Sequence, residues 1–170
     1  LNAGQTCIAP DYALVQAKLV DAFVGAYAAA AAKLYPSVIA NPQYSAIVNG
    51  RHYDHLMGLL DDAGKKGATI TPIDPARELP AGSAGSSNGR KIAPTVVTNV
   101  RDDMAIMQEE IFGPLLPVLP YGTLDEAIGY VNARPRPLAL YYFGEETQRA
   151  DEVVARTTSG GVTINDTLLH

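Results

Sequence analysis

The chain has 170 residues and a formal net charge of −5, and an acidic chain argues against a nucleic-acid binder because contacts to phosphates need a basic face. Its hydrophobic fraction of 47% is ordinary for a globular protein, and residues 1–170 are long enough to form one domain with its own core. The single cysteine excludes an internal disulfide and argues against a thiolate metal cluster, so no metal site is expected.

The first half of the chain alternates short β-branched runs with helical patterns. Apolar residues spaced at i, i+3 and i+4 predict one helix over 17–34 and another over 51–65. β-Branched runs predict strands over 12–16 and 68–72. The segment 80–90 is rich in glycine and serine, and we expect a flexible surface loop there.

The second half repeats strands and helices in regular order. Residues 91–100 are predicted to be a strand or an extended segment and residues 115–121 a strand, and Thr123 with Glu126 three residues later forms a capping box that predicts a helix start. The apolar runs "PLALYYFG" and "GVTIN" predict two buried strands with a helix between them. This alternation implies parallel βαβ units. The predicted fold class is therefore α/β, with a largely parallel sheet and helices on both faces.

Signatures of membranes, nucleotides and metals are weak. The longest apolar stretch, residues 22–32, is too short to span a bilayer, and no secretion signal is evident, so we expect a cytoplasmic protein. No G-x-G-x-x-G follows a strand, and "GSAGSSNG" lacks that spacing. His52 and His55 lie three residues apart without an evident third ligand, which favours a solvated helix surface. The chain alone does not encode a complete cofactor site.

Two blocks carry possible chemistry. A lone cysteine such as Cys7 is most often an inert core residue, but the preceding Gly4-Gln5-Thr6 suggests a turn. Backbone N–H groups in a turn can lower the pKa of a thiol and hold a developing oxyanion, so a nucleophile also fits. The second block, "EEIFGP", places Glu109 and Glu110 before an apolar pair, which by itself fits a helix end leading into a strand.

Together these blocks resemble the NAD(P)-dependent aldehyde dehydrogenases. "LNAGQTCIAPD" resembles the cysteine active-site signature of that family, "EEIFGP" is similar to its second hallmark, and "GGVTINDTLLH" resembles the Gly-x-x-x-x-Asn segment that closes the active-site wall. The variants "GQTCIAPDY", "RPRPLALYYFG" and "NDTLLH" are most similar to the class 3 branch, especially its coniferyl aldehyde dehydrogenases. The three motifs are spread over nearly the whole chain. The resemblance implies a Rossmann-like catalytic domain.

The resemblance also implies roles for individual residues. Cys7 would attack an aldehyde, coniferyl or another aromatic one, and its thiohemiacetal would yield a thioester that water hydrolyses, with hydride passing to NAD or NADP. Glu110 and Phe112 match the residues that bind the nicotinamide ribose. Asn165 matches a residue that supports the nucleophile's loop without touching substrate. His170 matches a class 3 feature near the substrate mouth.

Other parts of the family's machinery have no counterpart in these residues. In the family, the general base (a Glu), the oxyanion Asn and the cofactor-binding domain all precede Cys7, and an oligomerisation strand follows the position of His170. We therefore expect residues 1–170 to be a catalytic-domain fragment, without the N-terminal domain or the C-terminal tail and inactive by itself. The full-length enzyme is expected to be a homodimer, with the choice of NAD or NADP made upstream.

Two alternatives fit the sequence. An acylating reductase would pass the Cys7 thioester to CoA or phosphate, although "EEIFGP" favours the hydrolytic branch. A non-catalytic α/β scaffold would leave Cys7 inert. Burial of the thiol and its rate of alkylation distinguish an inert cysteine from an activated one.

Overall fold

The computed structural model describes residues 1–168, which form two compact units. The first unit contains residues 1–6 and 11–120. The second contains residues 7–10 and the described residues from Tyr121 onward. Within residues 1–168, no helix is both long and apolar enough to cross a membrane.

The first unit is built around a four-stranded sheet and a short hairpin. The strands up to Tyr121 are β1 (Ala13–Gln16), β2 (Thr69–Pro72), β3 (Gly85–Ser86), β4 (Lys91–Ile92), β5 (Thr95–Thr98) and β6 (Leu115–Tyr121). The sheet has the order β1-β6-β5-β2. β5 runs parallel to β6, with Thr95 opposite Leu115, and antiparallel to β2, with Thr95 opposite Pro72. The sheet is therefore mixed, with a parallel pair at its centre.

Two helices cover the two faces of this sheet, α1 (Val20–Leu34) and α2 (Gly50–Lys65). Val96 of β5 packs in the same apolar cluster as Ala31 of α1, whereas Val97 packs in the cluster that contains Leu56 of α2. Successive residues of a strand point to opposite faces, so the two helices lie on opposite sides of the sheet. The predicted α/β class with helices on both faces is confirmed.

Local hydrogen bonding and burial explain the position of helix α2. Asn49 precedes it, and the Asn49 side-chain oxygen accepts a hydrogen bond of 2.8 Å from the N–H of His52, which caps the helix. One face of the helix is buried, through Tyr53, Leu56, Leu59, Leu60 and Ala63. The helix predicted over 51–65 is confirmed to within one residue.

The Gly/Ser-rich segment differs from the expected loop, because it contains β3 and the turn of the antiparallel β3–β4 hairpin. Gly85 lies opposite Ile92, and both Ala84 and Ile92 are buried. A Cβ at Gly85 would lie 2.9 Å from the Tyr53 hydroxyl, so the glycine allows the hairpin to approach α2 closely. Composition indicates the exposed turn of such a hairpin but not a glycine that serves packing.

The second unit contains a two-stranded parallel sheet and two helices. In chain order its elements are α3 (Leu124–Asn132), β7 (Ala139–Tyr142), α4 (Thr147–Arg156) and β8 (Gly161–Ile164). β7 and β8 are parallel, as the sequence predicts for strands joined by a helix. The capping box is also confirmed, because Thr123 and Glu126 each accept a hydrogen bond from the backbone N–H of the other.

The prediction that β7 and β8 are buried strands is wrong for the described residues. All four residues of β7 are half-buried, and Ile164 in β8 is exposed. Leu138 and Phe143, which flank β7, are also exposed. A sheet of two strands has no neighbouring strand on either edge, so an apolar sequence alone does not bury it.

Candidate active site

A left-handed turn leads into Cys7. Asn2, Ala3 and Gly4 all have positive φ, of 50°, 52° and 73°. The N–H groups of Gly4 and Gln5 donate to the carbonyls of Leu1 and Asn2 and close the turn. Glycine adopts this conformation freely and asparagine tolerates it, so the sequence suits the turn at two of its three positions.

Gln5 anchors the turn to the segment that precedes α2. Its side chain is 6% exposed; its amide nitrogen donates to the carbonyl of Ala46 at 3.0 Å, and its amide oxygen accepts from the N–H of Val48 at 2.8 Å. Because both ends of the buried amide are satisfied, the contact specifies one position for the turn.

Cys7 itself is a free and exposed thiol. This exposure excludes the interpretation of Cys7 as a buried core residue. An accessible thiol can be reached by an electrophile such as an aldehyde carbon.

The cysteine motif and the "EEIFGP" segment touch at two points that flank Cys7 in the sequence. A Cβ at Gly4 would overlap the carbonyl oxygen of Gly113, so the two backbones are in direct contact there. The Asp11 Oδ1 accepts a hydrogen bond of 3.0 Å from the N–H of Ile111, 100 residues away. Two motifs that are distant in sequence are thus adjacent in the first unit.

The charge of Glu110 affects the pKa of Asp11, which lies in the cysteine motif. Partial burial raises the pKa of the Asp11 carboxyl above its ordinary value, and the carboxylate of Glu110 acts in the same direction. The hydrogen bond from Ile111 opposes this rise in pKa. Glu110 itself is exposed.

Phe112 has a left-handed backbone, with φ of 51°, which is unusual for a bulky residue and marks a constrained position. Its carbonyl oxygen lies 2.9 Å from the His52 Nε2, and the two rings meet edge to face with centroids 6.1 Å apart. At Gly113, a Cβ would lie 2.6 Å from the side chain of Leu56. Helix α2 therefore holds Phe112 in place.

An open groove of about 480 Å³ lies beside Phe112. It is lined by Val48, Asn49, Arg51, His52, His55 and Phe112. The rings of the two histidines stack with centroids 5.8 Å apart, and the His55 Nε2 lies 3.7 Å from the Glu109 carboxylate. Both histidines are half-buried, so the helix surface here is partly solvated, as the sequence indicates, and partly packed against "EEIFGP".

In the second unit, Asn165 joins the ends of β7 and β8. Its N–H donates to the carbonyl of Tyr142 at 2.7 Å, and its side chain accepts from the N–H of Gly144 at 2.9 Å and donates to the Gly144 carbonyl at 3.0 Å. These contacts lie within the sheet, and support of the nucleophile's loop by Asn165 stays a prediction. The Tyr141 hydroxyl donates to the carbonyl of Ile8, next to Cys7, at 2.7 Å.

The predicted site residues divide between the two units. Cys7 and Asn165 belong to the second unit, and Glu110 and Phe112 belong to the first. His170 lies outside the described residues. Across the described part of the chain, no group of three or more His, Cys, Asp or Glu side chains is arranged to hold a metal ion.

Sequence reasoning assigned no contact to four residues that hold the predicted site residues or their neighbours: Gln5, Asp11, His52 and Tyr141. Gln5 and Asp11 lie inside the cysteine motif, and the sequence signal for their role was a polar side chain next to a predicted turn. Their partners are far away in sequence, so no local pattern indicates them.

Comparison with known proteins agrees with the motifs. The model of the aldehyde dehydrogenase family matches residues 1–170. The chain is 51% identical over 170 residues to a probable coniferyl aldehyde dehydrogenase of Caulobacter vibrioides, and 47% identical over 169 residues to a coniferyl aldehyde dehydrogenase of a Pseudomonas species. It covers 34% of each, so it spans about a third of the length of these curated relatives.

Solved structures show the same fold. The substrate-bound AldH of Staphylococcus aureus matches with a TM-score of 0.86 at 40% identity, covering 99% of this chain and 34% of that one. Betaine aldehyde dehydrogenase of Staphylococcus aureus in complex with NAD⁺ matches with a TM-score of 0.81 at 29% identity, covering 99% of this chain and 33% of that one. On the whole-length family match and these relatives, the chain belongs to the aldehyde dehydrogenase family.

Proposed function

We propose that the chain is the catalytic-domain segment of a longer NAD(P)-dependent aldehyde dehydrogenase in which Cys7 is the nucleophile. One observation carries this proposal: Cys7 is exposed, and the residues that flank it, Gly4 and Asp11, contact the segment that contains Glu110 and Phe112. A scaffold with an inert thiol gives no reason for this arrangement.

The chemistry centres on the sulfur of Cys7. Its thiolate attacks the carbonyl carbon of the aldehyde and forms a carbon–sulfur bond, while the carbonyl oxygen becomes an oxyanion that the Cys7 N–H stabilises. A nicotinamide cofactor, when bound, would accept the hydride that leaves this carbon. The resulting thioester is attacked by water, and the thiolate departs as the carboxylic acid forms. The base that activates this water is expected outside these 170 residues.

We propose that the groove beside Phe112 holds part of the dinucleotide. A groove of about 480 Å³ falls within the range of roughly 300–1,000 Å³ that is typical of small-molecule sites. Arg51 and His55 provide donors for phosphate and hydroxyl groups, whereas the His52 Nε2 is engaged by the carbonyl of Phe112, and the N-terminus of α2 favours negative charge. We assign Glu110 to the ribose hydroxyls and Phe112 to packing beside the ribose and nicotinamide.

The substrate we favour is coniferyl aldehyde or another aromatic aldehyde, because two relatives at 47–51% identity bear that name. We propose that the full-length enzyme is a homodimer in the cytoplasm.

The test uses the full-length enzyme with coniferyl aldehyde, an aliphatic aldehyde and either NAD⁺ or NADP⁺. We expect Cys7→Ala to lower turnover by about 10³-fold or more without changing the melting temperature, because the thiol is the nucleophile and is exposed. Mass spectrometry of the quenched wild-type reaction should show the acyl group on Cys7.

Cys7→Ser is the matched variant, since it keeps the shape of the side chain and removes the soft nucleophile. Turnover that depends on added CoA or phosphate would instead identify an acylating reductase. Near-wild-type turnover in Cys7→Ala would refute the assignment of the nucleophile.

A further inference from the structure

Tyr141 connects the β7–β8 sheet to the segment that carries Cys7. Its hydroxyl donates a hydrogen bond of 2.7 Å to the carbonyl oxygen of Ile8, the residue after Cys7, across 133 positions of sequence. Tyr141 and residues 7–10 belong to the same compact unit. Residues 7–10 contain no helix or strand, so this hydrogen bond restrains a backbone segment that lacks the regular hydrogen bonds of secondary structure.

The position of Tyr141 is itself fixed by the sheet. Tyr141 pairs with Thr163 in the register of β7 and β8. One residue further on, Asn165 binds the carbonyl of Tyr142 and both backbone groups of Gly144, which closes this end of the sheet. A phenol on a paired strand is already ordered, so its hydrogen bond costs little additional conformational entropy.

We propose that Tyr141 is a positioning residue for the nucleophile, an inference that rests on the proposed function. By holding the carbonyl of Ile8, Tyr141 restrains the backbone next to Cys7 and so the directions of the Cys7 thiol and N–H. Asn165 contributes to the position of Tyr141 indirectly, because its hydrogen bonds fix the end of β7. Tyr141 touches neither aldehyde nor cofactor in this role.

The expected loss of rate follows from how strongly a reaction rate depends on the alignment of the reacting groups. A displacement of reacting groups by about 1 Å can cost on the order of 10²-fold in rate, and losing one of several restraints on a turn should cost less. Removing the Tyr141 hydroxyl should therefore lower the rate of the chemical steps while the affinity for aldehyde and cofactor is kept.

The experiment compares Tyr141→Phe with Tyr142→Phe in the full-length enzyme. Tyr142 is the next residue of β7 and is also half-buried, but its side chain points to the other face of the strand. We expect Tyr141→Phe to lower kcat about tenfold, with KM for aldehyde and cofactor within about twofold of wild type. It should also slow the alkylation of Cys7 by iodoacetamide below pH 8. Tyr142→Phe should leave kcat and alkylation close to wild type.

Equal kcat values in the two variants overturn the proposal. A loss of activity in Tyr141→Phe that merely follows a lower melting temperature overturns it as well. If the wild-type enzyme shows no dehydrogenase turnover, the proposed function fails, and the alkylation rates of the two variants still decide whether Tyr141 positions Cys7.

Discussion

Gly4 is where the backbone of the cysteine motif approaches "EEIFGP" most closely, and two separate constraints act on it. Its φ of 73° lies in the left-handed region, and a Cβ would overlap the carbonyl oxygen of Gly113, a backbone atom that cannot rotate away. Gly89, with φ of 83°, shares the first constraint but has open space around it. The two glycines therefore separate backbone strain from steric contact.

We expect Gly4→Ala to lower the free energy of unfolding by about 3 kcal/mol or more, and Gly89→Ala by about 1 kcal/mol. Unfolding in denaturant measures both values. If Gly4→Ala fails to fold while Gly89→Ala folds, the contact is supported. Equal losses would show that residues 4 and 113 are not in contact.

Asp11 provides a residue-scale prediction about pH. Partial burial and the charge of Glu110 raise the pKa of Asp11 in the folded state, so the folded chain binds this proton more tightly than the unfolded chain. The free energy of unfolding therefore falls as the pH rises from the ordinary pKa of aspartate through the raised value. Asp11→Asn removes this penalty and keeps a side-chain oxygen that can accept from Ile111.

We expect Asp11→Asn to be at least as stable as the wild-type chain at pH 7, with the difference shrinking as the pH falls towards about 4 and constant below it. Denaturant unfolding over pH 3–8 measures it. Asp151→Asn, at an exposed position of α4, is the control and should track the wild type. A variant at Asp11 that is less stable at every pH would mean that the hydrogen bond needs a carboxylate.

At the scale of elements, the capping box of residues 123–126 is sufficient to predict where α3 begins. The hydroxyl of Thr123 accepts the N–H of Glu126 at 3.2 Å, and both partners of the capping box are local. Thr123→Ala should cost about 1 kcal/mol of stability, because the N–H at the helix start loses its acceptor. Thermal and denaturant unfolding measure this loss.

Thr147→Ala is the matched control for the capping box. Thr147 is the first residue of α4, where the N-cap residue makes no side-chain hydrogen bond to the helix. We expect a change within about 0.5 kcal/mol, as for an ordinary surface substitution. Equal effects at the two threonines would show that the capping box adds nothing to α3.

Local patterns predicted the elements better than they predicted their surroundings. The period of apolar residues placed α2 within one residue of its observed start, because the signal lies entirely inside the helix. The burial of β7 was overestimated, since an apolar sequence shows what a strand can bury and not what covers it. The β3–β4 hairpin was missed because Gly85 serves contact with Tyr53, 32 positions earlier.

At the scale of the whole molecule, the site could be predicted only where its residues are contiguous. The motifs around Cys7 and Glu110 are short and stand out in the sequence. The contacts that hold them span 41 residues for Gln5 and Ala46, and 60 for His52 and Phe112. Such pairs depend on how α2 and the sheet pack, and no periodicity in a single sequence specifies that packing.

The last prediction concerns the chain taken alone. The family resemblance places the general base, the oxyanion Asn and the cofactor-binding domain outside these residues, and the chain spans about a third of its curated relatives. We therefore expect the isolated 170-residue chain to show no steady NAD(P)H formation with coniferyl aldehyde, while its thiol still reacts with iodoacetamide because Cys7 is exposed.

Assays of the isolated chain and the full-length enzyme, side by side at saturating cofactor, measure this difference. Alkylation can be assigned without mapping, because the chain contains one cysteine, and Cys7→Ala gives the background. Turnover by the isolated chain at the rate of the full-length enzyme would contradict the prediction, because these residues would then contain a base and a cofactor site of their own. An alkylated but inactive chain would show that the nucleophile is accessible here and that the remaining catalytic groups come from elsewhere in the enzyme.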